Sequence, residues 1–322
     1  MDRLSDCTKQ FGLSKHRYAA TEMFNPRYTR LPLALTIIRP RSLLFMALLI
    51  MLGGCSMVRL GYDQADFVAR WWLDRHLDLN AEQTRWIKPE LQSLHAWHRQ
   101  TQLPNYADIV ATVARQSQTD ITPEQTCDTI DEASEQLDTL LNRGIPLLAG
   151  LARQLEPAQL RHLKRHFADD DREWREKWLD GPAEQRLRRR ADDWQERAET
   201  YYGRLNREQK EFILRAVQNS SWQPQISWER RLLRQQAIVL TLEKIQTQKL
   251  SQAAAEEEIE GLIDRSMRPS DPRFSSMQQR LQKEACANLA GLHNLTNAEQ
   301  RARANKKLLA YERDFKQLMA KR

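Results

Sequence analysis

The sequence has little glycine and contains no recognisable catalytic motif. It has only 10 glycines in 322 residues, which is poor material for phosphate-binding loops. Several catalytic motifs are absent: G-x-S-x-G, H-E-x-x-H, the P-loop, the glycine-rich dinucleotide turn and closely spaced cysteine-pair motifs. These absences exclude the common hydrolase, zinc-protease, nucleotide-binding and thiol-redox classes. We therefore expect a protein that is not an enzyme and needs no cofactor.

The excess of basic charge is concentrated at the N-terminus. The whole chain has a formal net charge of +7, but residues 55–322 carry 42 basic and 40 acidic side chains, or +2. Such a balance lacks the basic excess that is typical of nucleic-acid binding. The arginine run at 188–190 is better explained as the solvated face of a helix. Nucleic acid is thus excluded as a partner.

No apolar run is long enough to cross a membrane, but one short run has the features of a signal peptide. Residues 43–52 are all apolar, about half of the roughly 20 residues that a transmembrane helix needs. Two arginines precede this run, as in the positive region of a signal peptide. It ends in Leu52-Gly53-Gly54-Cys55, which resembles the lipobox that lipoprotein signal peptidase cleaves. We predict a signal peptide over residues 1–54 and a covalent lipid on Cys55.

The cleavage site also predicts where the mature protein lies. Acyl chains on the first residue would anchor the domain 55–322 to a membrane. Enterobacterial lipoproteins with Asp after this cysteine stay in the inner membrane, whereas this chain has Ser56. We expect a lipid-anchored outer-membrane protein of a Gram-negative bacterium that faces the periplasm. The long leader leaves open whether translation starts at Met1 or at Met23.

Apolar residues recur with helical spacing through nearly the whole mature chain. One clear stripe steps by three and four residues, at Leu187, Ala191, Trp194, Ala198, Tyr201 and Leu205. No segment alternates with the period of two that is typical of a half-buried strand. Proline and glycine interrupt the pattern at 103–105, 144–146, 181–182, 219–224 and 268–272. We predict an all-α fold, an elongated bundle of about eight to ten amphipathic helices.

A five-residue element recurs where helices are expected to begin. Its pattern is Leu or Ile, three residues and Gln, and four copies end at Gln83, Gln125, Gln159 and Gln209, with a looser copy at Gln300. Asn80, Thr122 and Asn206 are good N-caps, and a glutamine three residues later completes a capping box. Pro123 and Pro157 suit the first helical position. Ordinary helix capping therefore explains the element.

Two resemblances accompany this element. Its copies resemble the LTxxQ motif of small periplasmic stress chaperones, which are helical and bind unfolded proteins. The segment from Arg59 to Phe67, Trp71-Trp72-Leu73-Asp74 and the first copy of the element are similar to an uncharacterised family of proteobacterial lipoproteins. The second resemblance covers more of the chain. It implies an envelope lipoprotein and brings no established activity.

Cysteines and histidines offer two further candidate sites. Cys127 and Cys286 are candidates for a disulfide in the oxidising periplasm; the alternative is two separate buried thiols. His162 and His166 are four residues apart on one helix face and are weak candidates for zinc ligands. No second cluster at ligand spacing supports them. Solvated histidines are the simpler interpretation, and we expect no metal.

Nine tryptophans, all of them in the mature chain, suggest binding surfaces. Trp71 and Trp72 follow the anchor closely and suit either a membrane interface or the core of the first helix. Trp222 and Trp228 flank Pro224 in a polar segment. They are candidate protein-binding residues, with docking onto a neighbouring helix as the alternative.

These inferences favour a non-enzymatic protein-binding module in the periplasm, with a chaperone-like role as the specific hypothesis. The alternative is a structural adaptor for an envelope assembly or transport complex. The expected partners are the membrane, through the lipid on Cys55, and a periplasmic or envelope protein of unknown identity.

Overall fold

A computed structural model describes residues 57–321, and within this range the chain forms twelve α-helices and no strand. In chain order, α1 to α12 are Met57–Asp63, Ala65–Leu77, Ala81–Thr101, Leu103–Gln116, Pro123–Ala152, Pro157–Trp178, Ala183–Tyr202, Arg207–Gln218, Pro224–Thr247, Gln252–Met267, Pro272–Asn294 and Ala298–Ala320. The all-α prediction is confirmed, and the helices outnumber the predicted eight to ten. The predicted signal peptide and Cys55 lie outside the described residues.

Helix α5 runs through Gly144 and Pro146, so the break predicted there is wrong. Proline costs the helix only one hydrogen bond and some steric strain, and packing around this turn offsets that loss. The carbonyl of Pro146 accepts a hydrogen bond from Gln252 Nε2 at 3.0 Å. A Cβ at Gly150 would lie 2.7 Å from the Trp86 ring, which shows how closely α3 approaches α5. Tertiary contact therefore overrides the local signal.

Two helices end in a left-handed residue that is not glycine. The chain adopts positive φ at Asp78 and Lys249, with φ of 51° and 49°. These residues follow α2 and α9, in the region that glycine normally occupies after a helix. The boundary after α2 agrees with the predicted helix start at Asn80, whereas the boundary at Lys249 was not predicted from the sequence.

The recurring element begins five helices, as predicted. All five motif glutamines accept a hydrogen bond from the backbone N–H of the residue three positions earlier, at 2.9 to 3.2 Å. Asn80, Thr122 and Asn206 are N-caps, and each side chain accepts a backbone N–H in return. Pro123 and Pro157 are the first residues of α5 and α6. Local capping therefore fixes where these helices start.

Four of the motif glutamines also form two buried pairs, a contact that the sequence does not predict. The side-chain amides of Gln83 and Gln159 exchange hydrogen bonds of 2.9 and 2.7 Å. Those of Gln209 and Gln300 exchange bonds of 2.7 and 3.1 Å. Each glutamine also donates to a backbone carbonyl just before its partner's helix. The glutamine pairs thus fasten the start of α3 to that of α6, and the start of α8 to that of α12.

Residues 63–321 belong to one compact unit, which contains three clusters of buried side chains. The largest joins α2, α3, α5 and α6 and includes Leu73, Ile87, Leu151 and Leu163. The second joins α5, α9 and α10, and the third joins α7, α8 and α11. Among the described residues, no helix is both long and apolar enough to cross a bilayer.

Candidate functional site

An open groove between α6, α7, α9, α10 and α11 combines aromatic, methionine and arginine side chains. Its volume is about 660 Å³. The lining residues that define its chemistry are Trp174, Trp178, Trp222, Arg190, Arg230, Arg231, Arg234, Met267 and Met277. No aspartate or glutamate belongs to the described lining. We call this feature the tryptophan–arginine groove.

Aromatic pairs build one wall of the groove. Trp178 packs edge-on against Trp222, with ring centroids 6.1 Å apart, and Trp174 stacks on Trp228 at 5.4 Å. Such pairs contribute about 0.5–1.5 kcal/mol beyond their buried area. Trp222 and Trp228 therefore dock onto the neighbouring helix α6, the alternative that the sequence left open. Trp222 faces the groove as well, whereas Trp228 is not part of its lining.

Three arginines of the groove are held in place by neighbouring groups. The Arg190 guanidinium lies 4.5 Å from the centre of the Trp222 ring and donates to Ser220 Oγ at 3.1 Å. Arg230 donates to Gln278 Oε1 and to the Ser266 carbonyl, both at 3.0 Å. Arg231 donates to Asp171 Oδ1 at 2.6 Å. These contacts fix the guanidinium groups before any ligand arrives.

Arg234 differs from the other three, because its guanidinium has no hydrogen-bond or ion-pair partner among residues 57–321. Partial burial lowers its pKa, as does the positive charge of Arg230 and Arg231. Burial also lowers the pKa of Arg190 and Arg230. All remain charged, since an arginine pKa starts above 12. Asp171 pairs with Arg231, and Glu284 offsets part of the Arg190 charge. The charges of Arg230 and Arg234 are those that an anionic ligand would neutralise.

Comparison with known proteins identifies a family for this chain. Residues 75–266 match a family of unknown function, DUF6279, and this is more than half of the chain. The chain belongs to this family. No curated protein and no solved structure matches it. The DUF6279 segment includes every tryptophan and arginine of the groove, while Met267 and the α11 residues lie beyond it.

Within the DUF6279 segment, the two histidines that the sequence placed together lie with ring centroids 6.5 Å apart and make different contacts. His162 Nε2 donates to the Arg75 carbonyl at 3.0 Å. His166 instead stacks on His76, with centroids 4.1 Å apart, and its Nδ1 lies 3.3 Å from Asp170 Oδ2. The groups that meet His166 most closely are therefore His76 and Asp170.

Cys127 of the DUF6279 segment forms a disulfide with Cys286, which lies outside that segment. The bond joins α5 to α11, and the two cysteines are 159 positions apart. Cys286 is almost completely buried. A single bond thus ties the end of the chain to the DUF6279 segment.

Trp71 and Trp72 project from α2 into solvent, with 42% and 49% of their surfaces exposed. The interpretation that they form the core of this helix is wrong, because Leu73 and Leu77 occupy the buried face. Phe67 and Val68 are exposed beside them. The result is an uncovered aromatic face that begins 12 residues after Cys55.

Sequence reasoning missed the arginines of the groove. Arg188 is exposed, as expected for a solvated face, but Arg190 at the end of the same run lines the groove. Arg230 and Arg234 are four residues apart and so share one face of α9, directly after the Trp222 segment. That four-residue spacing is the sequence signal from which two arginines on one helix face could have been predicted.

Proposed function

We propose that this chain is an outer-membrane lipoprotein whose periplasmic helices bind an acidic segment of a partner protein in the tryptophan–arginine groove. The observation that carries this proposal is the lining: four arginines and three tryptophans without a carboxylate. Tryptophan and arginine dominate the residues that contribute most to protein–protein binding. Guanidinium groups bind carboxylates in a bidentate manner. An acidic polypeptide segment with apolar side chains satisfies both parts of the lining.

The location rests on the lipobox at Cys55. An oxidising compartment suits the Cys127–Cys286 disulfide, since such bonds are rare in reducing ones. The exposed Trp71 and Trp72 suit a surface close to lipid headgroups.

We expect mass spectrometry of the protein from membranes to find a diacylated peptide that begins at Cys55. Cys55→Ser should remove the lipid and release the protein from the membrane fraction, because the remaining helices offer no spanning segment in the described range. An unmodified precursor with residues 1–54 still attached would contradict the proposed location.

Binding in the groove is testable with a short peptide that alternates Glu and Phe and a counterpart in which Lys replaces Glu. We expect only the acidic peptide to change the tryptophan fluorescence of the protein. Arg234→Glu should weaken this binding about 10-fold or more, equivalent to at least about 1.4 kcal/mol, because it places a negative charge in the groove.

Arg188→Glu is the matched control. Arg188 is an exposed arginine that pairs with Glu184 and lies outside the groove lining. If both peptides bind equally, or if both variants weaken binding to the same extent, the groove is not the binding site.

Two versions of this function predict different results in an aggregation assay. A chaperone-like protein suppresses aggregation of several unrelated unfolded proteins. An adaptor in an envelope complex binds one acidic segment and leaves those proteins unaffected. The pre-positioned arginines and the disulfide favour the adaptor version, because promiscuous binding sites tend to be flexible.

A further inference from the structure

A group of metal-ligating side chains lies at the contact between α2 and α6, apart from the groove lining. His76 is in the last turn of α2, and His166 and Asp170 are one turn apart on α6. One ligand atom from each of the three residues can be chosen so that all lie within 4.8 Å of one another. All three residues are partly buried, which distinguishes the group from exposed acidic surface.

The His76 imidazole is held in a form that suits metal binding. Its Nδ1 donates to the Trp72 carbonyl at 2.8 Å, which leaves the lone pair on Nε2. This backbone contact is the kind that orients histidine ligands in metal sites.

His166 and Asp170 face each other in this group. The His166 Nδ1 is buried and forms no hydrogen bond in the described part of the chain. Asp170 Oδ2 lies 3.3 Å away, within ion-pair distance. A buried polar nitrogen without a hydrogen bond is unfavourable. A cation bound between this nitrogen and the carboxylate would satisfy both groups.

We propose that His76, His166 and Asp170 form a binding site for one divalent zinc ion. Two imidazoles and one carboxylate are three of the four ligands typical of a zinc site that keeps one position open. With neutral histidines, a single carboxylate reduces the charge of the ion from +2 to +1. The fourth position would face the adjoining cavity of about 390 Å³, which His76 and Asp170 both line.

Zinc binding requires the stacked imidazole rings of His76 and His166 to move. The two rings are inclined by only 23°, so they must tilt apart before both nitrogens approach one ion at about 2 Å. The Trp72 ring lies 4.0 Å from the His76 ring on the same helix. Trp72 fluorescence should therefore report the rearrangement.

The test uses untagged protein that has been stripped of metal with a chelator and then titrated with ZnCl₂ in a calorimeter. We expect one zinc ion per chain and a higher melting temperature when zinc is present. His76→Ala and His166→Ala should each weaken binding about 100-fold, because each removes a ligand. Asp170→Asn preserves side-chain volume and should also weaken it, which keeps the test valid if an alanine variant unfolds.

His162→Ala is the matched control, because His162 lies one turn from His166 but is bonded to the Arg75 carbonyl. It should bind zinc as the parent does. The proposal fails if the parent protein binds no zinc. It also fails if the His76 and His166 variants bind as tightly as the parent, or if His162→Ala weakens binding as much as they do.

Discussion

Gln83→Ala should lower the free energy of unfolding by about 3–5 kcal/mol, several times the loss expected for Gln125→Ala. Gln83 is 2% exposed. Its side chain takes part in four hydrogen bonds: with the Asn80 N–H, with the Gln154 carbonyl, and two with the amide of Gln159. Truncation leaves these buried groups without hydrogen-bond partners. Each group that water does not reach lowers the free energy of unfolding by about 1–3 kcal/mol.

Gln125→Ala is the matched control for this prediction. Gln125 has the same position in the same motif and the same capping bond to the Thr122 N–H, but its side chain is exposed and belongs to neither glutamine pair. Its loss should cost about 1 kcal/mol, as other capping substitutions do. The difference between the two variants therefore measures the buried contacts of Gln83 with Gln159 and the Gln154 carbonyl beyond the capping bond.

Chemical unfolding followed by circular dichroism gives both values. A double-mutant cycle extends the test: Gln83 and Gln159 should be coupled, whereas Gln83 and Gln209 should be additive because they belong to different pairs. Equal losses for Gln83→Ala and Gln125→Ala would mean that the pairs add nothing beyond capping.

Breaking the Cys127–Cys286 bond is the second change with a large expected effect. The cysteines are 159 positions apart, and a closed loop of that length restricts the unfolded chain by about 5 kcal/mol in the chain-entropy estimate. Measured values are commonly smaller, so we expect a loss of about 3–5 kcal/mol on reduction. Thermal unfolding with and without a thiol reductant measures it.

The double variant Cys127→Ser, Cys286→Ser separates the bond from other effects of the reductant. It should be less stable than the oxidised parent and should not respond to the reductant at all. If the reductant lowers the melting temperature of parent and variant equally, or of neither, the bond does not contribute to stability.

The sequence predicted the features of this fold that neighbouring residues decide. Helical periodicity identified the all-α class, and the capping boxes at Asn80 and Thr122 correctly marked helix starts. It failed at Gly144 and Pro146, where contacts with α3 and α10 keep α5 continuous. It also gave no sign of the boundary between α9 and α10, where Lys249 adopts positive φ.

The sites depended on contacts between distant segments and were predicted less well. Helix spacing singled out His166, but its neighbour His76 is 90 positions earlier and is brought close only by the packing of α2 on α6. The groove arginines come from α7 and α9, so no local pattern contains them all. The glutamines were visible as a motif, whereas their pairing required the tertiary structure.

The disulfide has a mechanical consequence if the chain is anchored at Cys55 as proposed. A pulling force applied between the two ends of the chain passes from α5 to α11 through the two sulfur atoms. The loop between them would be about 550 Å long if fully extended. It bears no tension while the bond is intact. The tryptophan–arginine groove lies within the loop between the two cysteines, and so do His166 and Asp170. His76 precedes Cys127 and so lies on the part of the chain that carries the force.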